Sequence, residues 1–419
     1  MDQQEILRLL RDLNPQWAGT DLSLPGYLIK RDALTTLQER DGVRAVVGLR
    51  RTGKTTLLKQ FMQETARRIG GERTCYFSFD LEGIDIRDVV ETFCEEILRE
   101  PVNDLDDSVY FFLDEVQNRE TWSNQVKHYY DNYDNMAFTV TGSSAVNVLK
   151  GSGESLAGRL TPLRLYPFTF REYLRYRGIE RDRVALSAVG AGERETRIRF
   201  TEYLEEGGMP ELYRHENPVE RLEETVDLVF YRDIIEMFNA SRSSVLQGMF
   251  RYFASNTGQV INFNKIADSL DADFRTVKTY LDYLADSFLI SRSHPYTGSE
   301  IASMRKNPKV YVADHAYNRL YGTDVGLTAE TVAYNHLKRI EDPAYIQDPE
   351  TDIVLSETEA IFEIKYRETI SRTDLDSLAT NAAATGFDPY LVSRDTYDTR
   401  IVDGVEIQLI PLHALCCIV

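Results

Sequence analysis

Short apolar runs recur along the first 165 positions, and most are followed by residues with helical spacing. Val43–Val47, Thr74–Phe79, Ser108–Asp114, Met136–Thr141 and Thr161–Leu165 read as buried strands, because β-branched and aromatic runs of this length are too short for a core helix. Gln3–Leu13, Arg31–Arg40, Thr55–Arg68 and Ile86–Glu100 carry the helical period between them. Strands alternating with helices predict a parallel sheet covered on both faces, an α/β fold.

After residue 178 the period changes. Arg197–Glu205 and Val219–Met237 are long, polar helix candidates that read as a connector over 179–241. Val245–Ser255, Phe263–Leu270 and Phe274–Ser287 follow as three further helices, and Phe288-Leu-Ile-Ser opens a strand. Helix, helix–turn–helix and wing is the winged-helix order, expected over 242–298. A second α/β region is expected over 299–419, from an amphipathic helix at Glu330–Leu337 and strands at Tyr345–Gln347, Asp352–Leu355 and Ala360–Lys365.

The first strand runs into Gly48-Leu49-Arg50-Arg51-Thr52-Gly53-Lys54-Thr55-Thr56, which contains G-x-x-x-x-G-K-[ST] between a strand and a helix. That is the context of a phosphate-binding loop. The two glycines allow backbone N–H groups to turn inward around an anion, and the helix aims its positive end at the same point. Lys54 is then expected on the β/γ-phosphates of ATP and Thr55 on Mg²⁺.

The third strand ends in Asp114-Glu115. Downstream of a phosphate loop this is the Walker B arrangement, with Asp114 in the Mg²⁺ shell and Glu115 polarising the attacking water. The fourth strand ends in Gly142-Ser143-Ser144, where Ser143 is a candidate sensor of the γ-phosphate. Arg159 is a candidate arginine finger, in its own subunit or a neighbouring one, and Arg50 and Arg51 are further candidates. No Asn-Lys-x-Asp guanine-reading motif occurs, which favours ATP over GTP.

These motifs, with Leu-Asp-Glu-Val-Gln (113–117), Thr-Gly-Ser-Ser-Ala (141–145), Leu-Ala-Gly-Arg (156–159), Tyr-Pro-Phe-Thr-Phe-Arg-Glu-Tyr-Leu (166–174) and Glu-Gly-Gly-Met-Pro-Glu (206–211), resemble one family. It is the archaeal and bacterial AAA+-superfamily ATPases that carry a C-terminal region of uncharacterised function. The resemblance covers nearly the whole chain. It implies an AAA+ ATPase domain over 1–178 and a helical lid or connector over 179–241.

In the last region, Asp352 on one strand and Glu363-Ile-Lys365 on the next resemble the PD-(D/E)xK nuclease fold, although Thr351 stands where a proline is expected. Residues two apart share a strand face, so Glu363 and Lys365 point the same way. Asp352 and Glu363 would converge on Mg²⁺, with Glu330 completing the shell and Lys365 orienting water. Many such domains keep the fold without cleaving, so two uses of the ATP compete: gated DNA cleavage, or a switch that binds DNA or a protein. In the winged helix, Arg275, Thr276, Lys278 and Thr279 would face outward toward double-stranded DNA, and Arg292, Arg305, Lys306 and Lys309 would form a basic wing.

The net charge of −19 argues against a generic nucleic-acid-binding surface. Of the basic residues only eleven are lysine against 37 arginines. That bias with acid excess suits a salt-adapted cytoplasm, where screening relieves self-repulsion. No apolar run reaches membrane-spanning length and the N-terminus lacks a signal-peptide pattern, so a cytoplasmic protein is expected. Cys75, Cys94, Cys416 and Cys417 fit no zinc-ligand spacing. A protein partner or a homo-oligomer remains compatible with all of this.

Overall fold

The computed structural model describes all residues except 1, 21–27, 81–82, 143–147, 149–155, 189, 191–193, 236–237, 239, 241 and 323, and the side chain of residue 300. The chain forms two compact units, Met1–Tyr166 and Pro167–Val419.

The first unit is built on the five strands expected: β1 (Val43–Val47), β2 (Thr74–Ser78), β3 (Val109–Asp114), β4 (Met136–Gly142) and β5 (Leu160–Arg164). They lie in the order β2-β3-β4-β1-β5, and every pairing is parallel. All five carboxyl ends therefore share one edge, where α/β sheets bind ligands. The helix Lys54–Ile69 turns Leu57, Leu58, Phe61 and Met62 onto Val46, Phe112 and Leu163 of the sheet. The helix expected to reach Glu100 keeps α-geometry only over Ile86–Thr92, and a π-helical turn, Phe93–Leu98, follows.

In the second unit the helices Ser243–Ser255, Phe263–Ser269 and Phe274–Asp286 precede a hairpin of β6 (Ile290–Ser293) and β7 (Lys309–Val312). The hairpin runs across the boundary expected at 298. β7 also takes in the segment between the first two helices, with Gly258 N–H donating to Val310 O at 2.8 Å and Ile261 N–H to Pro308 O at 3.0 Å.

The remaining strands are β8 (Ala344–Gln347), β9 (Glu350–Leu355), β10 (Ala360–Lys365), β11 (Asp388–Ser393), β12 (Asp398–Val402) and β13 (Val405–Pro411). They form a six-stranded mixed sheet in the order β12-β13-β11-β10-β9-β8. Ile353, Leu355, Phe362 and Ile364 pack one face against the helix Val325–Leu337. Val354, Ile361 and Leu391 pack the other against Leu375, Leu378 and Ala382 of the helix Thr373–Thr385. By the two-residue period, Asp352, Glu363 and Lys365 fall on this second face.

The four cysteines are buried and free. Among the described residues no helix is long and apolar enough to cross a membrane.

Candidate functional site

At the carboxyl edge of the first sheet the chain leaves β1 through Gly48, whose φ is 153°. A Cβ there would lie 2.3 Å from the Leu165 carbonyl oxygen, so only glycine permits this approach to the strand beside it. Arg51 and Gly53 take left-handed angles, φ 66° and 94°, and turn the loop into the helix at Lys54. The Lys54 ammonium, only 6% exposed, donates to the carbonyls of Gly48 and Leu49 at 3.0 and 3.1 Å. Thr52 closes the loop by donating its hydroxyl to Leu49 O at 2.8 Å.

One residue that sequence reasoning missed braces this loop. Arg31 is buried and donates from Nη1 to Thr52 O and from Nη2 to Tyr166 O, both at 2.8 Å. Its planar fork joins backbone carbonyls far apart in sequence, and no local spacing announces such a contact.

The Asp114 carboxylate, 3% exposed, stands opposite. It accepts from the Thr55 hydroxyl at 2.7 Å, from Tyr76 OH at 3.1 Å and from the Thr141 hydroxyl. Glu115 sits beside it at φ 55°. Its N–H donates to Thr141 Oγ at 3.2 Å and its carboxylate accepts from Gln117. Burial pushes the Glu115 carboxyl above the ordinary value, against the pull of Lys54. A carboxylate raised in this way is a better proton acceptor. Thr141 thus supplies a polar strand-end contact, whereas Ser143, expected there, lies outside the described residues.

As a finger within its own chain, Arg159 is a correction. It precedes β5, and its carbonyl accepts from Val43 N–H at 2.9 Å, at the amino end of β1. At about 3.3 Å per strand residue, the length of β1 separates it from the loop of its own chain. Its guanidinium instead pairs with Asp131 at 2.6 Å. Arg50, Arg51 and Thr56 lie half-buried in the loop and the helix it opens.

The second unit holds a cleft of about 550 Å³ lined by Gly258, Lys309, Glu330, Asp352, Glu363 and Lys365 among others. The four residues expected to share a site, Glu330, Asp352, Glu363 and Lys365, therefore line one cleft. Lys365 donates to Glu363 Oε1 at 2.5 Å, while Glu363 Oε2 is buried with no hydrogen-bond partner among the described residues. Asp352 accepts from Ile364 N–H at 2.9 Å. Glu330 accepts from Tyr311 OH at 2.7 Å, and Gly258, at φ 76°, makes room for its carboxylate.

Lys309 does not belong to a basic wing surface. It is 1% exposed, and its ammonium lies 2.9 Å from Glu350, 3.2 Å from Asp352 and 3.6 Å from Glu330. Arg292 pairs with Asp282 at 2.5 Å, which leaves Arg305 and Lys306 as the exposed cations of that wing set. Arg275, Lys278 and Thr279 are exposed as expected, while Thr276 is half-buried and bonded to Asp273. Glu330, Asp352 and Glu363 do not form the Mg²⁺ shell expected of them. Among the described residues no group of three or more His, Cys, Asp or Glu is placed to hold a metal. These carboxylates pair with ammonium groups instead: Lys309 lies 3.6 Å from Glu330 and 3.2 Å from Asp352, and Lys365 donates to Glu363.

Burial first, and then the charge of Asp352, push Glu330 up to about 8 and Glu363 up to about 7. For Glu330 these effects outweigh the pull of Lys309. An acid raised in the native state keeps its proton where the unfolded chain has released it. Its stabilising contribution is present below the ordinary value of 4.5 and is lost as pH rises toward 8. The unfolding free energy of the wild type relative to Glu330→Gln is therefore expected to fall across that window. Denaturant titrations at several pH values read it, and a flat difference would show that Glu330 ionises normally in the native protein.

Residues 40–174 match a family described as an AAA domain, and residues 197–329 match a domain of unknown function (DUF8612). An uncharacterized protein of Haemophilus influenzae is 22% identical over 89% of this chain and 94% of its own length. One of Methanocaldococcus jannaschii is 24% identical over 74% of this chain and 69% of its own. Among solved structures, the ORC1 protein of Aeropyrum pernix in complex with DNA covers 81% of this chain and 94% of its own, at 11% identity and a TM-score of 0.27. AMPPCP-bound DnaA of Aquifex aeolicus covers 61% and 85%, at 16% identity and a TM-score of 0.27. The match over 40–174 spans both the phosphate loop and the Asp114-Glu115 strand end, which supports an ATP-binding AAA+ domain.

Proposed function

We propose that the first unit hydrolyses ATP with Mg²⁺, and that the second converts the nucleotide state into an action on DNA. One observation carries the hydrolytic reading: the Thr55 hydroxyl and the Asp114 carboxylate meet at 2.7 Å, with Glu115 following on the same strand end. These residues suit Mg²⁺, which the Thr55 hydroxyl and the Asp114 carboxylate would hold. When bound, the ion would neutralise charge on the β- and γ-phosphates. The loop N–H groups from Leu49 to Lys54 would cradle the phosphates, and Lys54 would exchange the Gly48 and Leu49 carbonyls for phosphate oxygens. Glu115, steadied by Gln117 and Thr141, would accept the proton of the attacking water.

For the second unit, the exposed Arg275, Lys278 and Thr279 on the helix Phe274–Asp286 support contact with double-stranded DNA. The Lys309 ammonium among the cleft carboxylates favours a second reading, an ATP-gated switch that binds DNA or a protein without cutting.

Both readings are tested by incubating the protein with plasmid in Mg²⁺, with and without ATP, at low and molar KCl. ATP turnover and DNA integrity are followed together for the wild type, Lys54→Ala and Glu363→Ala. Turnover lost in Lys54→Ala is expected, and turnover that survives it would remove the hydrolytic reading. Nicking lost in Glu363→Ala would establish cleavage, whereas ATP-dependent DNA retention without nicking would establish the switch.

A further inference from the structure

The cleft of the second unit contains a cation of its own. A lysine ammonium has three N–H donors and no acceptor, and that of Lys309 faces carboxylates on two separate elements. Glu350 and Asp352 come from β9, and Glu330 comes from the helix Val325–Leu337. The ring of Tyr345 lies 5.5 Å from the same nitrogen. Lys309 has little freedom to leave, because β7 is paired with β6 on one side and held by Gly258–Ile261 on the other. Two positions on, Tyr311 shares the face of Lys309 and donates to Glu330, while its ring stacks on Tyr334 at 3.8 Å.

We propose that Lys309 is the resident cation of this cleft and excludes a divalent metal from Asp352 and Glu330 while β7 is seated. The inference rests on reading these carboxylates as a metal-type site. Two positive charges cannot share the space between the same two carboxylates, since like charges a few ångströms apart in a buried setting repel strongly. Removing the ammonium takes from Asp352 and Glu330 the cation they share, with Glu363 Oε2 adding an oxygen that has no hydrogen-bond partner among the described residues. Hard divalent ions seek such an oxygen set, and their affinity rises with the number of charged ligands.

The test is Mn²⁺ binding to the full-length, nucleotide-free protein, read by electron paramagnetic resonance and calorimetry. Lys309→Met keeps the apolar stem and removes the charge, Lys309→Gln is a second neutral variant, and Lys309→Arg retains the charge. Either neutral variant is expected to bind one Mn²⁺ at least about tenfold more tightly than the wild type. Lys309→Arg should behave as the wild type, and adding Asp352→Asn to a neutral variant should abolish the gain. Wild-type protein that binds Mn²⁺ as tightly as the folded neutral variants, with loss in Asp352→Asn, would overturn the exclusion and leave the metal-site reading intact. Folded neutral variants that bind no Mn²⁺ would overturn both. Cooperative unfolding of each variant shows that the comparison is made on native protein.

Discussion

Glu115→Gln is expected to lower ATP turnover by roughly two to four orders of magnitude, the usual contribution of a positioned general base. Nucleotide affinity should change little. The substitution preserves size, and the bond that shapes the strand end, from the Glu115 N–H to the Thr141 hydroxyl oxygen, uses only the backbone of residue 115. Lys54, Thr55 and Asp114 keep their places, so binding survives while proton acceptance is lost. Steady-state turnover beside equilibrium binding of a fluorescent ATP analogue separates the two quantities. Turnover close to that of the wild type would mean that another group takes the proton.

Gly48→Ala is expected to remove nucleotide binding and to destabilise the first unit. The added methyl meets the Leu165 carbonyl at 2.3 Å, a backbone atom rather than a side chain that can turn away. Leu165 is itself fixed, because its N–H donates to Val47 O at 2.7 Å. Relief requires parting β1 from the chain beyond β5, and overpacking of this kind costs about 1–3 kcal/mol. The loop would lose its entry angle at the same time. Denaturant unfolding and ATP-analogue binding measure the two effects. Wild-type stability with normal binding would show that the strand beside β1 yields more easily than this contact implies.

Much of the first site was legible because its parts are local. Gly48 to Thr55 and Asp114-Glu115 carry their chemistry in short spacings, and parallel strands bring their carboxyl ends to one edge. The same rule, applied to Arg159, would have excluded it as a finger within its own chain, since a residue preceding β5 lies at the opposite edge. Asp352, Glu363 and Lys365 were also legible, through the two-residue alternation of strands. Arg31 and Lys309 were not. Arg31 acts on carbonyls at Thr52 and Tyr166, which any residue can supply. Lys309 follows Arg305 and Lys306 and so reads as part of an exposed basic patch, while its carboxylate partners become neighbours only after the fold closes.

The hairpin that crosses residue 298 also bears on how the second unit is made. β7 contributes backbone to the three-helix region through Gly258–Ile261 and side chains to the carboxylate cleft through Lys309 and Tyr311. Beyond β6, Tyr296 N–H donates to Tyr345 O at 2.6 Å, tying the same segment to β8. Neither part can complete its hydrogen bonds before the other is present, so the two are expected to open together in native-state hydrogen exchange. Recombination at residue 298 would separate a strand from its partner.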